Sequence, residues 1–382
     1  MTAPTKRAWA TIDLNALRKN LAQVRALCPE SKIVPVIKSN AYGHGMERVA
    51  RALQDSRTRI AAFAVSTLEE GLELNALKLD VPIVLLNGFV TAQELALCLE
   101  VGIEPVVHSP YQVTLLEDQF NNEIFGDKRK LWLKLNSGMN RLGMSQENCL
   151  ESYANLHKFP GTEFVLMSHL GYADDMDNPA SRDFTARQMQ EIKVAHEKMV
   201  ASKQQDVELS VAASVGILTL PDTHFNYVRP GVMLYGSSPL AAETGEEIGL
   251  QPVMTLSSRL IAINRVATGE SIGYNATYVC ARDTRVGVVS IGYGDGYPRS
   301  AVNGTPVLIK TASGVTRTQL IGRVSMDMIT IDLTGIDDAS IDDEVILWGA
   351  GLCADEVART AGTIAYELFC KVTQRVSFQY EE

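Results

Sequence analysis

Eight short apolar runs recur between residues 33 and 234, at 33–37, 60–65, 82–86, 104–107, 131–135, 163–167, 208–212 and 228–234. They are too short for core helices and show no polar alternation, so each predicts a strand buried on both faces. Between most of them lie segments with helical periodicity, at 67–77, 92–101, 110–120 and 184–202. Strands alternating with helices in this way predict an α/β chain with an N-terminal TIM-like (β/α)8 barrel. A doubly wound open sheet shares the periodicity and stays as the alternative, although no G-x-G-x-x-G or Walker pattern supports it.

A further apolar run at 9–14 precedes the series, with Asp13 or Asn15 placed to cap the helix after it. Beyond Pro239 the texture changes. Long helical periods disappear until near the C-terminus, and runs at 253–266, 285–291, 306–310, 326–333 and 344–348 are separated by Gly, Asn and Asp. That pattern predicts a mostly antiparallel β domain with hairpin turns. The expected division is a cofactor-binding barrel over 1–238 and a C-terminal β domain over 239–382, with 236–252 as the linker.

Composition limits the function classes. The 382 residues suffice for two domains, and 46% hydrophobic with 21% charged content is that of a folded globular chain. A net charge of -10 without any basic run argues against a nucleic-acid partner. No apolar run reaches the length of a membrane span, and the N-terminal stretch lacks the apolar core of a secretory signal. Six cysteines without C-x-x-C spacing read as reduced thiols, not as a disulfide framework or a zinc site. The expectation is a cytoplasmic chain with no membrane partner and no metal.

Within the first apolar run the stretch IVPVIKSNAYGHG puts Lys38 where a buried strand hands over to a βα loop. In a parallel α/β protein that is the ligand-binding end of the sheet. A lone lysine there would be a solvated side chain. Here Tyr42, Gly43, His44 and Gly45 follow at once, which suits an anionic ligand held close to the backbone. A desolvated lysine near other cations has a lowered pKa and can form a Schiff base as the free amine.

IKSNAYGHG resembles the cofactor-lysine motif of alanine racemases, pyridoxal-phosphate enzymes built on a barrel plus a β domain. The resemblance continues in the family's order through LKLNSGMNRLGM, MSHLGYADD, AASVGI, NYVRPGVMLYG, IGYNATY, IGYGDGYPR, GRVSMDM and AYELFCKVTQRV, which covers nearly the whole chain. It implies a homodimer with shared active sites that interconverts L- and D-alanine using pyridoxal 5'-phosphate. The product would be D-alanine for the cell wall, or L- and D-alanine would be catabolised. A racemase of serine or basic amino acids, or a non-catalytic pyridoxal-phosphate carrier, are the alternatives; the second-face tyrosine and the β domain weigh against the carrier.

The same resemblance assigns roles by position. Lys38 would hold the cofactor and serve as the base on one face of the substrate. Tyr274 would be the base on the other face, arriving from the second subunit. A phenol with a pKa near about 10 is a poor base at neutral pH, so Tyr274 needs a positive field. His169 is its implied partner, beside Arg229. Arg229 would face the pyridine nitrogen and keep it unprotonated, because a guanidinium does not readily give up its proton. Ser214, the backbone at Gly231 and Val232, and the hydroxyls of Tyr42 and Tyr366 would hold the phosphate. Arg141 would orient the cofactor's phenolic oxygen and the substrate carboxylate. Lys134 matches a lysine often carbamylated in the family, but Asn136 and Ser137 stand where Asp and Thr are usual. The lost negative charge weighs against the carbamate. Met326 and Asp327 would offer backbone to the substrate carboxylate across the dimer. Tyr293, with Tyr366, would narrow the entry channel for a small side chain.

Overall fold

The computed structural model describes residues 6–122, 129–203 and 206–382. Residues 1–5, part of the N-terminal stretch read for a signal, lie outside them. The chain opens with strands β1 (Ala8–Asp13), β2 (Lys32–Ile33), β3 (Phe63–Val65), β4 (Ile83–Leu85) and β5 (Ile103–Val107). It continues with β6 (Arg129–Lys134), β7 (Thr162–Met167), β8 (Glu208–Ala213) and β9 (Tyr227–Arg229). Strands β2 to β9 form one parallel sheet in the order β2-β9-β8-β7-β6-β5-β4-β3. Val36 bridges Ala64, and the Ile37 amide donates to the Ala64 carbonyl while the Ala64 amide donates to Pro35. These bonds close the ring. The architecture is a (β/α)8 barrel, not the open sheet.

Four expected barrel strands are shorter than their apolar runs; 60–65 and 82–86 are trimmed to Phe63–Val65 and Ile83–Leu85, and in the other two proline is the reason. Pro35 has no N–H for the ladder, so β2 is brief, although Val34 and Val36 still donate to Val228 and Pro230. The run 228–234 stops at Arg229, because Pro230 breaks it and Val232–Tyr235 wind into a 3-10 helix. Helix starts follow local rules. Asp13 Oδ1 accepts from the Ala16 amide at 2.9 Å and caps Leu14–Leu27. Thr67 with Glu70, and Thr91 with Glu94, form capping boxes on Leu68–Ala76 and Ala92–Glu100.

Beyond the linker come β10 (Met254–Val266), β11 (Ser271–Ile272), β12 (Tyr278–Val279), β13 (Thr284–Val289) and β14 (Pro306–Thr311). The last strands are β15 (Gly314–Gln319), β16 (Ile329–Asp332), β17 (Glu344–Trp348) and β18 (Ser377–Glu381). Strands β11 and β12 pair with each other, and the rest build a mostly antiparallel sheet, β15-β14-β17-β10-β1-β18, with β13 on β10 and β16 on β13. Strand β1 pairs antiparallel with β10 and parallel with β18. By hydrogen bonding it belongs to the second sheet, although it lies inside segment 1–238. Only Ile329–Asp332 of the run 326–333 is paired, so Met326 and Asp327 stand in the bend before it. One apolar cluster joins the two halves, with Leu21 and Tyr235 from the barrel side and Leu256, Leu368 and Phe369 from the other.

At the N-terminal ends of the barrel strands a polar cluster plugs the floor. Lys130 Nζ donates to the Tyr227 hydroxyl, which donates to Glu208 at 2.9 Å. Glu104 accepts from Trp132 Nε1 at 2.8 Å. Burial holds the Glu104 carboxyl above the ordinary carboxylate range, against the pull of that bond and of Lys130. The folded chain therefore binds more protons than the unfolded chain just above that range, and this group's contribution to stability falls as pH rises through it. Glu104→Gln keeps an acceptor for Trp132 and removes the buried charge. Its Tm should exceed the parent's by about 2 °C near pH 8 and match it near pH 4, as read by circular dichroism.

Candidate active site

The β2 segment hands over to a turn of the opposite hand. Ser39, Asn40, Ala41 and Tyr42 have φ of 53°, 52°, 54° and 52°, a left-handed helical turn immediately after Lys38. Each residue with a Cβ costs about 1–2 kcal/mol in this conformation, asparagine least. Bonds offset the strain. The Ala41 amide donates to Ile37, Gly43 to Ser39, and Gly45 to Asn40, while Asn40 Oδ1 accepts from the Met46 amide. His44, fully buried, places Nδ1 2.9 Å from the Tyr42 carbonyl and 3.1 Å from that of Ala41. Burial pushes His44 down to about 4, so the ring is neutral and these acceptors fix its proton on Nδ1. Gly43 has φ 77°, and a Cβ there would overlap the Phe369 carbonyl. Its absence lets helix Ala365–Lys371 lie on the turn, with Tyr366 and Tyr42 ring centroids 5.8 Å apart.

Around Lys38 the C-terminal ends of the strands gather positive charge. Lys134 ends β6, Arg141 follows in its loop, Arg229 ends β9, and His169 follows β7. Arg229 is buried and donates to Ser210 Oγ and to the carbonyls of Ser168 (2.7 Å) and Val211 (3.2 Å). Burial lowers it to about 10, still charged at neutral pH. Burial, then Arg229, Arg141 and Lys38, bring Lys134 down to about 8. Burial and Arg141 lower Lys38, with Glu70 and Cys370 opposing. His169 is pushed down to about 3 by burial and by Arg229, Lys134, Arg141 and Lys38. Its imidazole is therefore neutral. The positive field expected beside it comes from the surrounding cations.

A second part of the mouth is made of hydroxyls and amides. Ser214 Oγ accepts from the amides of Gly231 (2.9 Å) and Met233 (3.4 Å). A Cβ on Gly231 would stand 2.8 Å from the Tyr42 hydroxyl and 3.9 Å from Ser214 Oγ. The bare glycine therefore leaves a cradle between two hydroxyls and the start of the helix at Val232. Burial pushes the Tyr42 and Tyr366 phenols up, which keeps them neutral donors. Donors, amides and nearby cations without a side chain in the cradle fit a phosphate.

Lys38, Tyr42, Lys134, Arg141, His169, Ser214, Arg229, Gly231, Val232 and Tyr366 thus share one barrel mouth. Tyr274, Tyr293, Met326 and Asp327 do not join it. Among the described residues no hydrogen bond, ion pair or ring contact links the two sets. Tyr274 is 69% exposed on a turn whose Gly273 abuts the Gly322–Arg323 backbone. The Tyr293 and Gly294 amides donate to the carbonyls of Ser325 (3.0 Å) and Met326 (2.9 Å). Arg375 binds Asp327 at 2.6 Å and also pairs with the buried Asp295. This is a separate exposed cluster on the β domain, and among the described residues no ring contact joins Tyr293 to Tyr366. A groove beside Thr316, Thr318, Asp332 and Thr334 holds none of these residues.

Several side chains that hold the site are given no role by the sequence reading. Asn136 Oδ1 accepts from the Gly138 and Asn140 amides, so it shapes the loop to Arg141. Gln188, in the middle of Pro179–Lys203, donates to Ser137 Oγ (3.0 Å) and the His169 carbonyl (3.1 Å) and accepts from the Gly171 amide (2.9 Å). Nothing in helical periodicity marks it, whereas Glu70 is signalled by its capping box. Gln188→Leu leaves those three partners without their bonds, and urea unfolding should report a loss of about 2 kcal/mol or more.

Family models describe the two halves of the chain. The alanine racemase N-terminal domain matches residues 12–239 and the C-terminal domain matches residues 253–380. An alanine racemase of Vibrio vulnificus (strain CMCP6) is 42% identical over 379 residues, covering 99% of this chain and all of that protein. The crystal structure of the biosynthetic alanine racemase of Pseudomonas aeruginosa superposes with a TM-score of 0.88 at 41% identity, covering 99% of this chain and 100% of that one. The alanine racemase of Bartonella henselae with covalently bound pyridoxal phosphate gives 0.85 at 26% identity, over 98% of this chain and 99% of that one. With the family's domains matched across both halves and its fold reproduced over the full length, this chain belongs to the alanine racemase family.

Proposed function

We propose that the chain racemises alanine with pyridoxal 5'-phosphate attached through Lys38, in a homodimer whose two mouths are each completed by the other subunit. The observation that carries this reading is the convergence of Lys38, Arg229 and the Ser214–Gly231–Tyr42 cradle at one end of the barrel. When bound, pyridoxal phosphate supplies the electron sink that makes the substrate's Cα proton acidic. The protein's own groups do the rest. Ser214, the Gly231 and Val232 backbone, and the Tyr42 and Tyr366 hydroxyls bind the phosphate. Arg229, locked by three acceptors, would meet the ring nitrogen as a cation that has no lone pair to accept a proton. Arg141 orients the substrate carboxylate, together with the partner subunit's Met326 and Asp327 backbone.

Lys38 Nζ holds or takes the Cα proton on one face, and burial with Arg141 favours its free amine. The partner subunit's Tyr274 Oη exchanges the proton on the other face, with the neutral His169 beside it. Tyr274, Tyr293, Met326 and Met328 are all large apolar groups left exposed, at 69%, 38%, 53% and 43%. Such a cluster suits burial against a second copy. Covering Tyr293 there narrows the mouth and favours a methyl side chain, a selection against one more methylene worth about 1–3 kcal/mol. Asn136 brings no charge to Lys134, but burial and the cations around it lower this amine to about 8, which favours the free base that carbamylation needs and would give Arg141 an anion to rest on. The six cysteines are all unpaired, which suits a reducing cytoplasm. Among the described residues no helix is long and apolar enough to cross a membrane.

The purified protein should absorb near about 420 nm, lose that band in Lys38→Ala, and form D-alanine from L-alanine with α-deuterium uptake in heavy water. A band without racemisation of alanine would move the reading to another amino acid or to a carrier. Tyr274→Phe should keep the band and lower kcat by about 10²–10⁴-fold. Mixing Lys38→Ala with Tyr274→Phe chains should restore one working site per dimer, and complete inactivity would argue against shared sites. Carbon-13 bicarbonate should give a carbamate resonance that Lys134→Ala abolishes.

A further inference from the structure

The Ser39 amide opens the left-handed turn directly after Lys38, and its acceptor comes from the next βα unit. Glu70 Oε1 takes that N–H at 2.5 Å, while Oε2 takes the amides of Ser66 (2.9 Å) and Thr67 (3.3 Å). One carboxylate thus closes a capping box on helix Leu68–Ala76 and caps the turn that carries Lys38. The chain contains its own comparison. Glu94 closes the same box on Ala92–Glu100, accepting from Val90 and Thr91 and, among the described residues, from no amide of another unit. A capping box uses one oxygen, and glutamine serves it as glutamate does. The second oxygen of Glu70 is surplus to its helix and is spent on Ser39.

The charges facing Lys38 give the carboxylate a second effect. Arg141 and Lys134 lie on one side of the balance, Glu70 and Cys370 act the other way, and His169 beside them is neutral. Among these groups Glu70 is the only carboxylate.

We propose that Glu70 is a positioning residue for Lys38: by capping Ser39 it fixes the left-handed turn, and so the point from which the lysine meets the cofactor. The proposal rests on Lys38 being the cofactor lysine. In Glu70→Gln the single side-chain oxygen can serve the helix or Ser39, not both, and the NH2 group opposes the other amide. A carboxylate also stabilises the ammonium form of a lysine, so its removal lowers the pH at which Lys38 becomes nucleophilic.

The experiment compares the parent, Glu70→Gln and Glu94→Gln in cofactor-free and reconstituted form. Competitive acetylation of the cofactor-free protein, read by peptide mass spectrometry, gives the titration midpoint of Lys38. Fluorescence titration gives the Kd for pyridoxal phosphate, and borohydride reduction of the reconstituted protein maps the lysine that carries it. Glu70→Gln should move the Lys38 midpoint to lower pH and weaken cofactor binding about tenfold. Glu94→Gln should change neither. Equal behaviour of Glu70→Gln and the parent, or equal shifts in both variants, overturns the proposal while borohydride labelling of Lys38 keeps the cofactor reading. Labelling of another lysine overturns both.

Discussion

The rest of the site depends on holding like charges together at one end of the barrel. Lys38, Lys134, Arg141 and Arg229 repel one another, and burial makes the charges of Lys38, Lys134 and Arg229 costlier. The barrel meets this by locking Arg229 to Ser210, Ser168 and Val211, and by letting the two lysines drift toward their neutral forms. His169, in the same field, is neutral. A mouth so arranged has excess positive potential and weakly held protons, which is what an anionic ligand and proton transfer at carbon both need.

Placing those groups requires that the two halves of the chain behave as one body. Strand β1 runs into the second sheet between β10 and β18, and the helix it leads into packs on the barrel. Asp355, buried in the β domain, accepts from the linker amides of Ser238 (3.1 Å) and Gly245 (2.8 Å). Helix Ala365–Lys371 then sits on the turn after Lys38, where Gly43 gives it room. In this way Tyr366 arrives beside Tyr42 at the Gly231 cradle from the far end of the sequence. The hydroxyls of Tyr42 and Tyr366 belong to different domains, and the shared core sets their separation.

Local rules account for much of the backbone and fail at identifiable residues. Thr67 with Glu70 and Thr91 with Glu94 start helices where their spacing says they should. Pro35 takes one donor out of the ladder and Pro230 ends β9. The turn at Ser39–Tyr42 has no such warrant, since Asn40 alone among its residues tolerates positive φ readily. It exists because bonds from Glu70 and His44, outside its own backbone, outweigh its local preference. Asn136 shows the reverse: a departure from the family's pattern proves to be a loop residue bonded to Gly138 and Asn140.

The sequence by itself determined the barrel, the β domain after it, the family, and the position of Lys38 at a strand end. Each of these rests on periodicity or on ordered motifs, which are properties of neighbours along the chain. Only the tertiary structure decided that β1 belongs to the second sheet, that Gln188 ties the Ser137 loop to His169, and that Glu70 reaches Ser39. It also divided the site residues between a cationic mouth built around the buried Arg229 and an exposed cluster around Tyr274. These outcomes depend on hydrogen bonds and burial between segments far apart in the chain, and a residue's type and spacing carry no record of which distant partner it will meet.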